Sequence, residues 1–294
     1  MSNNYQHAEA LPGRFKDLER ALDTLARDAV DGISVPSDRF DPMFGAFGLV
    51  AGFVRSAVCV EGTVLEAGLR TILDHSGRFA LLPVGFKLPV IEAAMAAVKS
   101  NDKANLKSLR LDPKVYAPEH YTPDLLAVHR ETGVAFLIEL KRSTLSYPRP
   151  ILERLEEKML AAGLVVRDTL NSGRRLTFIS RLEVMIVDCA DTDMRDQIIG
   201  ASSLDRLLGY DGVGKAMRHL RARFAVHVQK RLTSLIEGPI STEGTPNSSN
   251  QSQSPEPTKA SDAFYGWDEN APIAINFANR ARLTKAGTGA CHGQ

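Results

Sequence analysis

Residues 123–141, PDLLAVHRETGVAFLIELK, carry the clearest structural pattern of this chain. Two apolar runs flank the tetrad RETG, and Gly133 suits the positive φ that a hairpin turn often requires. The pattern predicts two antiparallel strands, from Leu125 to His129 and from Val134 to Lys141. Asp124 stands just before the first strand, whereas Glu139 and Lys141 stand at the end of the second. These charges at strand ends need an explanation that core packing does not supply.

Strand geometry places these three side chains together. Side chains alternate between the two faces of a strand, so Glu139 and Lys141 point the same way. The short turn then brings Asp124 beside them, at the open end of the hairpin. Two adjacent carboxylates repel each other unless they share a cation. Their oxygen ligands suit Mg²⁺ or Mn²⁺. The neighbouring ammonium group can orient a water molecule. The alternative is a strand-end salt bridge between Glu139 and Lys141, with Asp124 capping a turn after Pro123.

The flanking sequence predicts an α/β fold with a mixed central sheet and helices on its faces. Apolar spacing indicates helices between Pro12 and Gly32, over 58–74, over 89–110, from Pro148 to about Asn171, and over 213–236. Strands are expected within 78–86 and 176–189, where Ile, Val and Phe are frequent. The predicted organisation is an N-terminal helical segment, 1–57, followed by an α/β domain, 58–237.

The C-terminal part has a different composition. Residues 238–262 are rich in Ser, Pro and Thr and predict a disordered linker. Residues 263–294 form a tail with the single tryptophan, Trp267, and several apolar residues. We expect this tail to contact either the body of the protein or a protein partner.

Composition narrows the function classes only slightly. The chain has 294 residues, 44% of them apolar, and a net charge of +1, which favours neither nucleic acid nor membrane as a general partner. Three widely spaced cysteines and an N-terminus without signal-peptide features predict a cytoplasmic protein. The longest apolar run, 43–60, is interrupted by Arg55, so a packed helix is expected and no membrane span.

The motif Pro123-Asp124, then a hairpin, then Glu139-Leu140-Lys141 resembles that of the PD-(D/E)xK nuclease superfamily, whose core is restriction-endonuclease-like. The helix EGTVLEAGLRTIL, 61–73, resembles the helix before the first core strand, with the glycine-then-acid pattern of archaeal junction resolvases. The resemblance covers about 58–171, with a long insertion between 86 and 121. A second E-x-K triplet, 156–158, lies on a predicted helix and lacks this context.

The resemblance implies a site residue by residue. Asp124, Glu139 and the backbone carbonyl of Leu140 would bind Mg²⁺ or Mn²⁺, and Lys141 would orient the attacking water. Glu66 would complete the metal shell, with Glu61 as the alternative acid. The implied function is metal-dependent cleavage of DNA by an endonuclease or exonuclease of repair, restriction or mobile-element type. The alternative is an inactive nuclease-like fold that binds nucleic acid or a protein.

The last predicted helix is basic, and 212–236 contain no acidic residue. It would place cations along a phosphate backbone and bind DNA without sequence preference, through Lys215, Arg218, Arg221, Arg223, Lys230 and Arg231. The same pattern also fits a solvated surface helix or a helix that contacts a membrane or a partner protein. A weaker basic stripe follows helical spacing at Lys99, Lys103, Lys107 and Arg110.

Overall fold

The hairpin of residues 125–141 forms the centre of a five-stranded mixed sheet. The computed structural model describes residues 16–35, 43–100, 117–172, 179–192 and 197–237. The helices are α1 (Lys16–Asp31), α2 (Gly48–Ser76), α3 (Glu92–Ser100), α4 (Arg149–Ser172), α5 (Leu204–Leu208) and α6 (Val213–Glu237). The strands are β1 (Phe79–Leu81), β2 (Leu88–Val90), β3 (Glu119–Tyr121), β4 (Leu125–His129), β5 (Val134–Lys141), β6 (Arg181–Asp188) and β7 (Ile198–Gly200).

The sheet has the strand order β1-β4-β5-β6-β7. β4 lies antiparallel to both β1 and β5, and Leu125 pairs with Ile138 across the hairpin. β6 runs parallel to β5, as a crossover through α4 requires, and Lys141 pairs with Asp188. β7 extends the sheet in the same direction. The carboxyl ends of β5 and β6 therefore meet at one edge of the sheet, where the acids of the hairpin also lie.

The two faces of the sheet have separate apolar layers. On one face α1, α2 and α6 pack over Phe136 and Ile138, and on the other α3 and α4 pack over Leu137. Gly68 permits the close approach of α2 to α6, because a Cβ there would lie 2.0 Å from a methyl carbon of Leu220. The predicted boundary at 57/58 lies inside α2, and α1 shares its apolar cluster with the sheet.

Most long elements agree with the sequence predictions. The hairpin strands have the predicted bounds, Gly133 has a φ of 66°, and α4 and α6 match the predicted helices within about one residue. The mixed α/β sheet flanked by helices is confirmed. The predicted strand over 78–86 is only partly correct, because Pro83 and the positive φ of Gly85 end it early. β2, a separate strand, then occupies the start of the helix predicted over 89–110, and α3 begins at Glu92.

α2 is long and apolar enough to cross a membrane, by length and composition alone. Its second half is buried against α6 and the sheet, through residues such as Leu65, Leu69 and Leu73. Core helices meet the same criterion, so this finding does not place α2 in a membrane. The predicted linker 238–262, the tail 263–294, and Lys103, Lys107 and Arg110 lie outside the described residues.

Candidate active site

Asp124 and Glu139 lie opposite each other at the open end of the hairpin. Leu125 pairs with Ile138, and continuing this antiparallel register by one residue places Asp124 across from Glu139. Asp124 lies on the same face as Leu126, and Glu139 on the same face as Leu137; both leucines belong to the layer covered by α4. Lys141 follows Glu139 on the same face. All three are buried, with exposed fractions of 7% for Asp124, 3% for Glu139 and 7% for Lys141.

Each oxygen of the Glu139 carboxylate accepts a hydrogen bond. Lys141 Nζ donates to Oε1 at 2.8 Å, and the Tyr121 hydroxyl donates to Oε2 at 2.5 Å. Oδ2 of Asp124 accepts the backbone N–H of Leu140 at 2.8 Å. A carboxylate oxygen has about two lone pairs, so each of these oxygens can accept more than one bond.

Lys141 remains charged in this buried position. Burial by itself lowers the pKa of its ammonium group, but the carboxylates of Glu139 and Asp124 outweigh that effect, so the pKa of Lys141 is raised above its usual value. The ring of Tyr147 lies 5.4 Å from Nζ and adds a cation–π contact. A lysine with a raised pKa is a hydrogen-bond donor at neutral pH. It is therefore suited to orient a water molecule or a phosphate oxygen rather than to remove a proton.

The direction of the backbone carbonyl of Leu140 follows from the geometry of its strand. Amide and carbonyl groups of one strand residue point to the same side, and the N–H of Leu140 points to Asp124. The backbone groups of the next residue, Lys141, point to the other side, because its carbonyl accepts the N–H of Cys189 on the β6 side. Extending the hairpin register places Pro123 opposite Leu140, and proline has no N–H to donate. The Leu140 carbonyl is thus directed to the β4 side of β5, where Asp124 also lies.

These donors fit a magnesium or manganese ion better than zinc. The set consists of two carboxylates and a carbonyl, and Mg²⁺ is usually held by one or two carboxylates together with water. In the parts of the chain that the structure describes, no group of three or more His, Cys, Asp or Glu side chains is placed to hold a metal. Structural zinc sites use closed sets of Cys and His ligands, which this site lacks.

The upstream helix α2 carries both acids that the sequence suggested as a further ligand, Glu66 and Glu61. Glu66 is half-buried on α2, which packs on the opposite face of the sheet from Glu139, and the described residues contain no three-acid cluster. Glu61 lies near the end of β5: its carboxylate is 2.8 Å from Arg221 Nε and 3.7 Å from Arg142 Nε. Glu61 therefore lies beside this strand end, where it is ion-paired.

Two buried polar residues near the site were not expected from the sequence. Tyr121 reaches Glu139 from β3, a strand of three residues without a periodic signal. Asp188, which is 0% exposed, pairs in register with Lys141 and follows an apolar run just as Glu139 does. Its carboxylate accepts bonds from Thr144 Oγ1, from the N–H of Ala190 and from both donors of Thr192. Asp188 therefore holds together the loops that leave β5 and β6.

Some cations of the basic helix α6 are exposed to solvent, and others form ion pairs within the protein. Arg218, Lys230 and Arg231 are exposed, and Lys215 is half-buried. Arg221 binds Glu61 and the carbonyl of Cys189, at 2.8 Å in each case. Nε of Arg223 lies 2.9 Å from Asp23 Oδ1 on α1, although its N–H is not aimed along a hydrogen bond. Arg221 and Arg223 therefore help to attach α6 to its neighbours.

Comparison of the chain with protein-family models, with curated proteins and with solved structures gives no significant match. The function is therefore inferred from the chemistry of the site itself.

Proposed function

We propose that this protein is a metal-dependent nuclease that hydrolyses phosphodiester bonds of DNA with a PD-(D/E)xK-like core. The observation that carries the proposal is the meeting of Asp124, Glu139 and Lys141 on one face at the end of the hairpin. These three residues come from two strands, and a single register brings them together. Asp124, Glu139 and the carbonyl of Leu140 are the groups that would hold Mg²⁺ or Mn²⁺.

The order of elements supports the same proposal. A helix (α2), a strand (β1), the β4–β5 hairpin, a helix (α4) and a parallel strand (β6) follow one another, as the resemblance implies. The segment between β1 and β4 is inserted into this order and contributes β2, α3 and β3.

The chain's own residues have separate tasks in this mechanism. The bound metal would supply positive charge against the developing negative charge of the phosphate. Asp124 is held by the N–H of Leu140, and Glu139 by Lys141 and Tyr121, so both carboxylates are oriented in advance. The ammonium of Lys141 orients the attacking water by donating a hydrogen bond to it. Glu66 stays a predicted ligand that would have to act from the other side of the sheet.

The experiment that tests the proposed function is a cleavage assay on the full chain with single-stranded, duplex and branched DNA and with RNA. We expect cleavage of DNA in Mg²⁺ or Mn²⁺, and none when the metal is chelated. Glu139→Gln serves as the inactive control, because it keeps the size of the side chain and removes its charge. Cleavage that persists with a chelator, or that is equal in Glu139→Gln, would contradict the assignment.

A non-catalytic binding protein is the second candidate, favoured by the burial of the site. Glu139 and Lys141 form a closed, buried pair, as a structural salt bridge would. In that case the cations of α6 would bind nucleic acid while no substrate is cleaved. DNA binding by the wild-type chain without cleavage under any metal condition would favour this candidate.

The exposed cations of α6 provide a prediction that applies to both candidates. Replacing Arg218, Lys230 and Arg231 with Gln should weaken binding to all duplex sequences alike, because phosphate contacts carry no sequence information. Each lost contact reduces the slope of log K against log salt by about 0.9. Fluorescence anisotropy at several salt concentrations measures this slope. The matched control replaces the exposed Arg20, Arg27 and Arg206 with Gln, and an equal slope change in both variants would contradict a specific role for α6.

A further inference from the structure

The hydroxyl of Tyr121 contacts the Glu139 carboxylate from outside the hairpin, whereas Lys141 contacts it from within. Tyr121 ends β3, which pairs with β2 in a two-stranded sheet separate from the five-stranded one. Tyr121 is 5% exposed and packs in the apolar layer under α3 and α4. The inserted segment between β1 and β4 therefore places the Tyr121 hydroxyl in contact with Glu139.

The hydrogen bond of Tyr121 defines the orientation of the carboxylate. A glutamate held at one oxygen can still rotate about its last side-chain torsion, which has a broad energy well. Here Lys141 holds Oε1 and Tyr121 holds Oε2, at 2.8 Å and 2.5 Å. A donor on each oxygen fixes the plane of the carboxylate and leaves the second lone pair of each oxygen for another ligand. Because the site is buried, water competes poorly for either bond.

We propose that Tyr121 is a positioning residue, which holds the Glu139 carboxylate in the orientation that binds a divalent metal. This proposal rests on the proposed function and extends the site to the inserted segment. Groups that orient a metal ligand commonly change metal affinity or activity by about 10–100-fold when they are removed. A hydroxyl with only a structural role would change stability and leave metal affinity unchanged.

The test is Tyr121→Phe in the full chain, which removes only the hydroxyl. Titration calorimetry with Mn²⁺ gives metal affinity without any turnover, and a thermal melt without metal gives stability. We expect the Kd for Mn²⁺ to rise about 10–100-fold. In cleavage kinetics we expect kcat to fall by a similar factor, while KM for DNA changes less than about 2-fold, because Tyr121 is buried and acts through Glu139.

Tyr210→Phe is the matched control. It removes the hydroxyl of a ring whose face contacts the Arg78 guanidinium, at the opposite end of the hairpin from Glu139, and should leave the Kd for Mn²⁺ unchanged. If wild type binds Mn²⁺ and Tyr121→Phe binds it equally well, the positioning role is wrong and the proposed function stands. A fall in melting temperature with no change in the Kd for Mn²⁺ would likewise overturn the positioning role alone. A wild-type chain that does not bind Mn²⁺ would overturn both proposals.

Discussion

Lys141→Ala is expected to reduce cleavage by on the order of 10²–10³-fold, the loss that follows removal of one preorganised donor in an active site. The substitution also leaves the carboxylate of Glu139 buried without the ammonium at 2.8 Å. Removing one partner of a buried ion pair costs about 3–5 kcal/mol, because the remaining charge is uncompensated. The expected fall in melting temperature is roughly 6–20 °C for a domain of this size. Cleavage kinetics and a thermal melt measure the two effects.

The loss of stability and the loss of activity can be separated with a double variant. Glu139→Gln combined with Lys141→Met replaces the pair by neutral side chains of similar size, and Gln can still accept the bond from Tyr121. We expect this variant to regain most of the stability and to remain inactive. Lys158→Ala is the matched control, since Lys158 pairs with Glu119 in a more exposed position. A Lys141→Ala protein that cleaves like wild type would show that the lysine has no role in the reaction.

Asp124→Asn is expected to abolish metal binding with little effect on folding. An amide oxygen can still accept the N–H of Leu140, so the local structure is preserved. The charge is lost, and with it one of the two carboxylates of the proposed site. We expect no measurable binding of Mn²⁺ by calorimetry, cleavage reduced by about 10³-fold or more, and a stability change within about 1 kcal/mol.

Asp188→Asn is expected to show the opposite pattern, a large loss of stability with a small effect on Mn²⁺ affinity. Thr144, Ala190 and Thr192 each donate to the Asp188 carboxylate, so an amide NH₂ group would face donors. We expect a loss of about 2–4 kcal/mol and a much smaller effect on Mn²⁺ affinity. If Asp124→Asn destabilises the fold as strongly as Asp188→Asn and still binds Mn²⁺, Asp124 is a structural turn residue, as the salt-bridge alternative supposes.

The site was predictable where it depends on local geometry. Alternation along β5 places Glu139 and Lys141 on one face, and the tight turn at Gly133 brings Asp124 opposite Glu139. Both relations follow from residues close together in the chain. The role of the upstream acid was less predictable, since helical periodicity gives the face of Glu61 and Glu66 but not the height at which α2 crosses the sheet.

The sequence by itself determined the hairpin, the mixed α/β class and the long helices, because the periodicities of strands and helices are local properties of the chain. Tertiary structure decided which polar groups meet. Arg221 binds Glu61, which lies 160 positions away in the sequence, and this contact takes Arg221 away from the exposed face of α6. Tyr121 reaches Glu139 from a three-residue strand whose pairing with β2 has no periodic signal. Such contacts depend on the packing of whole elements, and a pattern within one element contains no information about the distance between two of them.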